Sequence, residues 1–178
     1  MKEQSTPQRR EATTPVKLVA ADVLLNRKNE IQSMIARRAY ELFESHGCVL
    51  GHDIDDWIEA EAEVLRAYRH DLKESAEAIV FKAELPCSFA ADQINVSVEP
   101  RRLMVSGERE LDVICGGDEP AHTEKRTQRI FRMEELPVDV DPSRASARLK
   151  GEKLEIVMPK VATANKPSGK SKAASSGR

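Results

Sequence analysis

Residues 94–109 read INVSVEPRRLMVSGER, and the expected class of fold follows from the pattern of these residues. An apolar residue stands at every second position from Ile94 to Val98, Pro100 interrupts the pattern, and the alternation resumes at Leu103. A period of two is typical of a strand with one buried face, and proline ends such a strand because it cannot donate to the ladder. The stretch therefore predicts two consecutive β-strands.

The same alternation recurs on both sides of this stretch, each time with a proline stop or a glycine turn nearby. The further segments are Ile79–Leu85 before Pro86, Arg126–Met133 before Leu136-Pro137, Ala145–Leu149, and Leu154–Met158 before Pro159. Several short strands at regular spacing, without a helical pattern among them, are typical of a two-sheet fold. We therefore predict a mainly β protein, with an immunoglobulin-like antiparallel β-sandwich over residues 71–161.

A different pattern precedes the strands, and it predicts a helical hairpin over residues 29–68. Apolar residues recur at spacings of three and four from Ile31 to Phe43, as on one face of a helix. Gly47 is expected to end this helix, and Asp53 is the expected N-cap of a second one. Forty residues bury little surface alone, so we expect the hairpin to lean on another part of the protein.

The two ends of the chain lack periodicity. Residues 1–28 are expected to form a disordered N-terminal arm, and residues 162–178 a disordered basic tail. From Lys160 onward the chain has five basic residues and no acidic ones, although the whole chain carries a formal charge of -2. The body is therefore acidic, which disfavours nucleic acid as a partner, and the tail is interpreted as a solubilising tether.

Cysteine usage and hydropathy bear on location. The three cysteines are an odd number without a Cys-x-x-Cys spacing, which favours a reducing compartment. The N-terminal residues place no apolar stretch behind their charges, and no segment approaches the eighteen or so apolar residues that a membrane helix needs. We therefore expect a cytoplasmic protein without membrane contact.

Chemistry-bearing residues are sparse. His46, Cys48, His52 and Asp53 are close in sequence, but their spacing fits no common zinc site. The glycines are dispersed rather than gathered in a phosphate-binding loop, and no Gly-x-Ser-x-Gly segment occurs. We expect no catalytic residues, no metal and no cofactor, and therefore not an enzyme.

Four pieces of the strand region resemble the alpha-crystallin domain of the small heat-shock proteins. In chain order they are AIVFKAELP, INVSVEPRRLMVSGER with its Gly107-Glu108-Arg109 end, RIFRMEELPVDVDPSRASARL, and LEIVMPK. The family's tail anchor, Ile-x-Ile or Ile-x-Val, does not occur after Pro159. The helical region more loosely resembles a small bacterial module of unassigned role, through Ala39, Tyr40, Gly47, Gly51, His52, Asp53, Asp56, Trp57, Ala60 and Glu61.

The resemblance implies an ATP-independent holding chaperone that binds partly unfolded client proteins and prevents their aggregation. It places the client-binding groove between two strands, at Ile94, Val96, Val98, Ala145, Ala147 and Leu149. The physical basis is that an unpaired strand edge can accept an extended segment of another chain. The alternative reading of these residues is that they only fill the sandwich core.

The resemblance also implies a homodimer, with the size of any larger oligomer left open. The residues expected at the dimer interface are His122, Thr123, Glu124, Lys125, Arg126 and Arg132. A solvated strand position is the alternative for Arg132. Two other functions stay open: a co-chaperone module that binds one folded partner through the sandwich, or a protein-interaction module that works through the helical hairpin.

Overall fold

The computed structural model describes residues 13–86, 88–115 and 122–161. Within these ranges the chain forms nine strands and two α-helices. They are β1 (Thr13–Pro15), β2 (Lys17–Leu18), α1 (Ala21–Ser45), α2 (Asp53–Val64), β3 (Arg69–Glu74), β4 (Ala78–Glu84), β5 (Ile94–Glu99), β6 (Arg102–Cys115), β7 (His122–Glu135), β8 (Ser146–Lys150) and β9 (Lys153–Pro159).

The strands form two sheets that pack face to face. One sheet has the order β1-β8-β9-β4-β3 and the other β2-β5-β6-β7. All pairings are antiparallel except that of β2 with β5. One apolar core fills the space between the sheets, and its largest fully buried side chains include Phe81, Ile94, Leu103, Ile130 and Ile156. The predicted antiparallel β-sandwich is confirmed.

Strand β3 was not among the predicted strands, and with it the sandwich begins at Arg69 rather than at residue 71. Four of its six residues are charged, so its sequence shows little apolar alternation. It forms because β4 offers a free edge, to which β3 pairs along its whole length from Arg69–Glu84 to Glu74–Ile79. Tertiary pairing thus determines this strand, as is common for edge strands.

The expectation of a disordered arm over residues 1–28 is corrected for the part that the structure describes. Residues 13–18 form β1 and β2, and α1 begins at Ala21, eight residues before the predicted hairpin. Leu24 is fully buried, which explains why the helix extends so far toward the N-terminus. Residues 1–12, and the predicted disordered tail at 162–178, lie outside the described residues.

The helical hairpin forms a third layer on the outer face of the four-stranded sheet. Met104 and Ser106 point away from the sandwich core, yet both are buried, because α1 packs on β5 and β6. The hairpin has its own small core around Ile31, Ile35, Leu42 and Ala60, and Phe131 of β7 packs against it. The hairpin therefore leans on its own sandwich. Neither helix is long and apolar enough to cross a membrane.

The loop between the helices shows how each helix ends. Helix α1 ends at Ser45, and Gly47 adopts a φ of 82°, as predicted for a C-terminal glycine. Helix α2 begins at Asp53 itself, with His52 at the capping position and no side-chain cap. Asp53 is therefore not the N-cap that the sequence suggested, but lies in the first turn, where its charge suits the helix dipole.

The Gly107-Glu108-Arg109 segment of β6 connects three parts of the molecule. A Cβ atom at Gly107 would lie 2.8 Å from Cγ1 of Ile130, so only glycine allows this core contact. Glu108 forms an ion pair with Arg27 of α1. The Arg109 guanidinium donates to the Ser88 carbonyl at 2.5 Å. The segment thus positions a core side chain, the first helix and the loop before β5.

We predict that Gly107→Ala destabilises the protein by roughly 1–3 kcal/mol, because the added methyl group overpacks the core against Ile130. The free energy of unfolding in urea measures this effect. The double variant with Ile130→Ala should lose less stability than the sum of the two single variants. Additive losses would contradict the predicted clash.

Candidate functional site

The edges of the two sheets lie close together along one side of the sandwich. Strand β8 belongs to one sheet and β5 to the other, and a single short segment pairs with both. This segment comprises residues 13–19, and we call it the N-terminal strap. Only one residue separates its pairing with β8 from its pairing with β5. We call the space between these two edges the groove.

The strap binds the groove through its backbone. It runs antiparallel to β8, with Thr14 opposite Leu149, and then parallel to β5, with Leu18 opposite Val96. The Val16 N–H donates to the Ala147 carbonyl at 3.0 Å, and the Val19 N–H donates to the Val96 carbonyl at 2.8 Å. The strap therefore satisfies edge groups of both sheets, as an added strand does.

One strap side chain enters the core. Val16 is only 6% exposed and belongs to the same apolar cluster as Val96 and Leu149. The other side chains of β1 and β2 are exposed. Burying one valine contributes about 1.5–3 kcal/mol, which is small beside the whole core. The strap is thus held by edge hydrogen bonds and a single anchor.

The structure brings all six predicted groove residues together. Ile94, Val96, Ala147 and Leu149 are buried, and Val98 and Ala145 are half-buried against the same cluster. They are therefore core residues, which was the alternative reading, and the side of the core that they form is covered by the strap. An open groove was expected; the described chain fills it with its own residues.

The sequence interpretation missed the strap. Its signal is the segment TTPVKLV at 13–19, which is rich in β-branched residues. A segment of seven residues that includes a proline is too short for its hydrophobic pattern to distinguish a strand from a loop. Pairing with two different sheets, once parallel and once antiparallel, is a property of the tertiary structure only.

The residues predicted for the dimer interface lie at the start of β7. His122 to Arg126 pair with Cys115 to Leu111 of β6 in the same chain, so that β6 and β7 continue as a long two-stranded arm. The side chains from Thr123 to Arg126 are exposed. Strand β5 pairs only with residues 102–107 of β6, so the rest of the arm projects beyond it.

Arg132, the remaining predicted interface residue, lies apart from that arm segment. It bonds Oε1 of Glu134, and its Nη2 lies 3.2 Å from Nε2 of His70. The His70 ring stacks on Phe81 at 5.6 Å. Burial raises the pKa of the neighbouring Tyr68 hydroxyl above its usual value. These contacts connect β7 to β3, so polar side chains bridge the sheets opposite the groove.

The two histidines of the loop between the helices contact carboxylates of helix α2. Nδ1 of His46 lies 2.8 Å from Oδ1 of the buried Asp56, and Nδ1 of His52 lies 3.4 Å from Oδ2 of Asp55. The first pair fastens the end of α1 to the start of α2. Among the described residues, no group of three or more His, Cys, Asp or Glu side chains could hold a metal ion.

Two known families match this chain. Residues 71–173 match the Hsp20/alpha crystallin family, and residues 30–66 match a family described as protein of unknown function (DUF2934). The first match covers the sandwich, and the second covers most of the helical hairpin.

Similar curated proteins are heat-shock proteins of plants. The 17.8 kDa class I heat shock protein of Arabidopsis thaliana is 30% identical over 61% of this chain and 69% of its own length. The 18.1 kDa class I heat shock protein of Pisum sativum is 33% identical over 52% of this chain and 58% of its own length. The chain thus spans about three fifths to two thirds of these relatives.

Solved structures that resemble the chain are also heat-shock proteins. The crystal structure of hspA from Xanthomonas axonopodis is 26% identical, with a TM-score of 0.39 over 52% of this chain and 92% of that one. Heat shock protein 16.0 from Schizosaccharomyces pombe is 20% identical, with a TM-score of 0.44 over 62% of this chain and 99% of that one. From the family match over residues 71–173, the chain belongs to the Hsp20/alpha crystallin family.

Proposed function

We propose that this protein is an ATP-independent holding chaperone, which binds extended segments of partly unfolded proteins and keeps them from aggregating. One observation carries the proposal: the N-terminal strap lies in the groove as an added strand. The groove can therefore accept an extended segment, and it does so mainly through backbone groups. Every protein offers those groups, which suits a binder of many clients.

The binding needs no chemical step. A partly unfolded protein exposes apolar side chains and unpaired backbone, and both are hazards for aggregation. A segment with one buried apolar residue between two exposed ones would reproduce the contacts of Val16 and its neighbours. Capture in the groove would then remove the segment from competing contacts between clients, without nucleotide or cofactor.

The strap would regulate this activity, because it competes with the client for the same groove. It is part of the same chain, so its effective concentration at the groove is high. It is nevertheless short, with one buried anchor, and short edge segments open locally at a modest free-energy cost. Clients would therefore bind when they are abundant or when the strap opens.

Val16→Ser should weaken the strap and activate the protein. Loss of the buried isopropyl group is expected to raise the open population by roughly tenfold or more, from about 1.5–3 kcal/mol of lost burial. Trypsin should then cut after Lys17 faster in the variant than in the original protein. Each rate is divided by that of a synthetic peptide with the same sequence, which corrects for the change next to the cleavage site. The variant should also suppress the light scattering of heat-aggregating citrate synthase at a lower ratio of chaperone to client than the unchanged protein needs.

Thr14→Ser is the matched control, since Thr14 lies in the same strap but is exposed. It should alter neither cleavage nor light scattering. Faster cleavage of the Val16→Ser variant without stronger suppression of aggregation would mean that clients bind elsewhere, and would contradict the proposed groove.

We place the homodimer contact at the arm formed by β6 and β7, with His122 to Arg126 on it. Beyond residue 107, β6 pairs only with β7 in the described chain. Strand β3, at the edge of the other sheet, pairs only with β4 there. Two unpaired edges in one subunit permit reciprocal strand addition between two copies.

Shortening the arm tests the dimer contact. Glu110 and Thr127 are cross-strand partners, so an Asn-Gly turn can join them in place of residues 111–126. We expect the shortened protein to sediment as a monomer and to keep the circular dichroism signal of its two helices, which the deletion leaves intact. If it sediments as the full chain does, the arm does not carry the contact.

The proposed site of action is the cytoplasm, where proteins unfold under heat and thiols stay reduced. Cys48 is an exposed free cysteine, which suits such a compartment.

A further inference from the structure

Helix α2 presents an unusual outer face. Its buried residues, Asp56 and Ala60, lie on the side that packs against α1. On the opposite side, Ile54 is 69% exposed and Ile58 is 60% exposed, one turn apart. A spacing of four places both side chains on one face of the helix. Leu50 is 87% exposed in the loop just before α2.

Two more exposed apolar residues adjoin these in the sequence. Trp57, next to Ile58, is 39% exposed, and Val49, next to Leu50, is 52% exposed. Five of the ten large exposed apolar side chains in the described chain thus lie within residues 49–58. Such a concentration is typical of an interaction surface rather than of scattered surface residues. We call Val49, Leu50, Ile54, Trp57 and Ile58 the apolar stripe.

The charges on helix α2 itself are all of one sign. Helix α2 carries six acidic residues and no basic one. Asp55 and Asp56 lie near the histidines of the loop, and Glu63 is bonded by Arg38, which lowers the pKa of the Glu63 carboxyl. No ion pair within the described chain involves the other three, which are Asp53, Glu59 and Glu61.

We propose that the apolar stripe is a docking surface for a basic amphipathic helix of another protein. Apolar side chains at spacings of three and four on the partner would cover Leu50, Ile54 and Ile58. Lysine or arginine residues flanking them would meet the carboxylates of Asp53, Glu59 and Glu61. This surface lies on the helical layer and does not depend on the client groove.

Charge disfavours other occupants. A second copy of α2 would place six carboxylates against six, and membranes and nucleic acids are anionic as well. The chain's own tail, residues 162–178, is basic, but its apolar side chains are those of alanine and one proline, which are too small to cover isoleucine and tryptophan. A separate protein segment with both basic and large apolar residues fits the surface best.

The C-terminal end of the apolar stripe borders basic residues of this chain, so the partner's own basic residues should not lie there. Past Ile58 the apolar stripe reaches a cleft between α2 and β7, lined by Leu65 and Phe131. Arg66 and Arg132 also line this cleft. The basic residues of the partner should therefore lie over the first two turns of α2, and its end at the cleft should be apolar or neutral.

The single tryptophan of the chain lies in the apolar stripe, so its fluorescence reports on docking directly. The probe is a synthetic helical peptide with leucine at positions i, i+3, i+4 and i+7 and lysine elsewhere. The comparison peptide has glutamate in place of lysine. We expect the lysine peptide to shift Trp57 emission to shorter wavelength in a saturable way, with at least tenfold higher affinity than the glutamate peptide.

Two variants separate the apolar and the charged contributions. Ile54→Glu with Ile58→Glu should reduce affinity for the lysine peptide at least tenfold, whereas Val23→Glu, on an exposed part of α1, should not. Glu59→Lys with Glu61→Lys keeps the apolar stripe and should reverse the preference between the peptides. The two double variants change only exposed side chains, so their circular dichroism spectra should match that of the unchanged protein.

Several results would overturn the proposal. They are equal affinity for both peptides, an unchanged preference in the Glu59→Lys, Glu61→Lys variant, or a concentration-dependent shift of Trp57 emission without peptide, which would identify a second copy as the occupant. The proposal is separable from chaperone activity. The charge-reversed variant should still suppress aggregation of citrate synthase, and Val16→Ser should still bind the lysine peptide.

Discussion

The closure of the sandwich on the β5–β8 side constrains the rest of the structure. The two stacked sheets bring β5 and β8 close together. Without β1 and β2, the outer backbone groups of both strands would have no neighbouring strand in the described chain. Here residues 13–19 fill that space, with Val16 in the core and hydrogen bonds to both sheets. In the proposed function, clients bind in this same space and the strap competes with them for it. On the opposite side, polar contacts of His70, Arg132 and Glu134 bridge the sheets instead.

The helical layer shows how one added element changes the face of a sheet. Met104 and Ser106 would be exposed on an isolated sandwich, but α1 buries them. Arg27 of α1 and Glu108 of β6 join the two layers through charge. The strap leads directly into α1, so movement of the strap and the position of the helices are connected through the chain. Helix α2 remains outermost, where its apolar stripe is available to a partner.

Sequence patterns predicted the elements whose burial follows a period. Strands β4, β8 and β9 alternate cleanly, and the helices show spacings of three and four, so their type was predictable. Strand β3 was not, because its charged residues form a strand only against β4. No strand was predicted between Arg109 and Arg126, whereas the structure continues the β6–β7 ladder from Glu110–Thr127 to Cys115–His122.

The sequence indicated where the candidate groove lies, but not that the chain's own strap fills it. The resemblance to the small heat-shock proteins placed one wall at Ile94, Val96 and Val98 and the other at Ala145, Ala147 and Leu149. Whether the space between them is open depends on a short segment some 75 residues earlier in the chain. Its sequence has no period long enough to reveal a strand, and its partners belong to different sheets. That information exists only in the tertiary structure.

If the strap and a client segment compete for one groove, a reversible covalent lock on the strap should switch client binding off and on. Thr13 and Lys150 are exposed cross-strand partners, at a separation that suits a disulfide. In a protein whose three native cysteines are serine, Thr13→Cys with Lys150→Cys should lose suppression of citrate synthase aggregation when oxidised and regain it when reduced. Equal suppression in both states would contradict the claim.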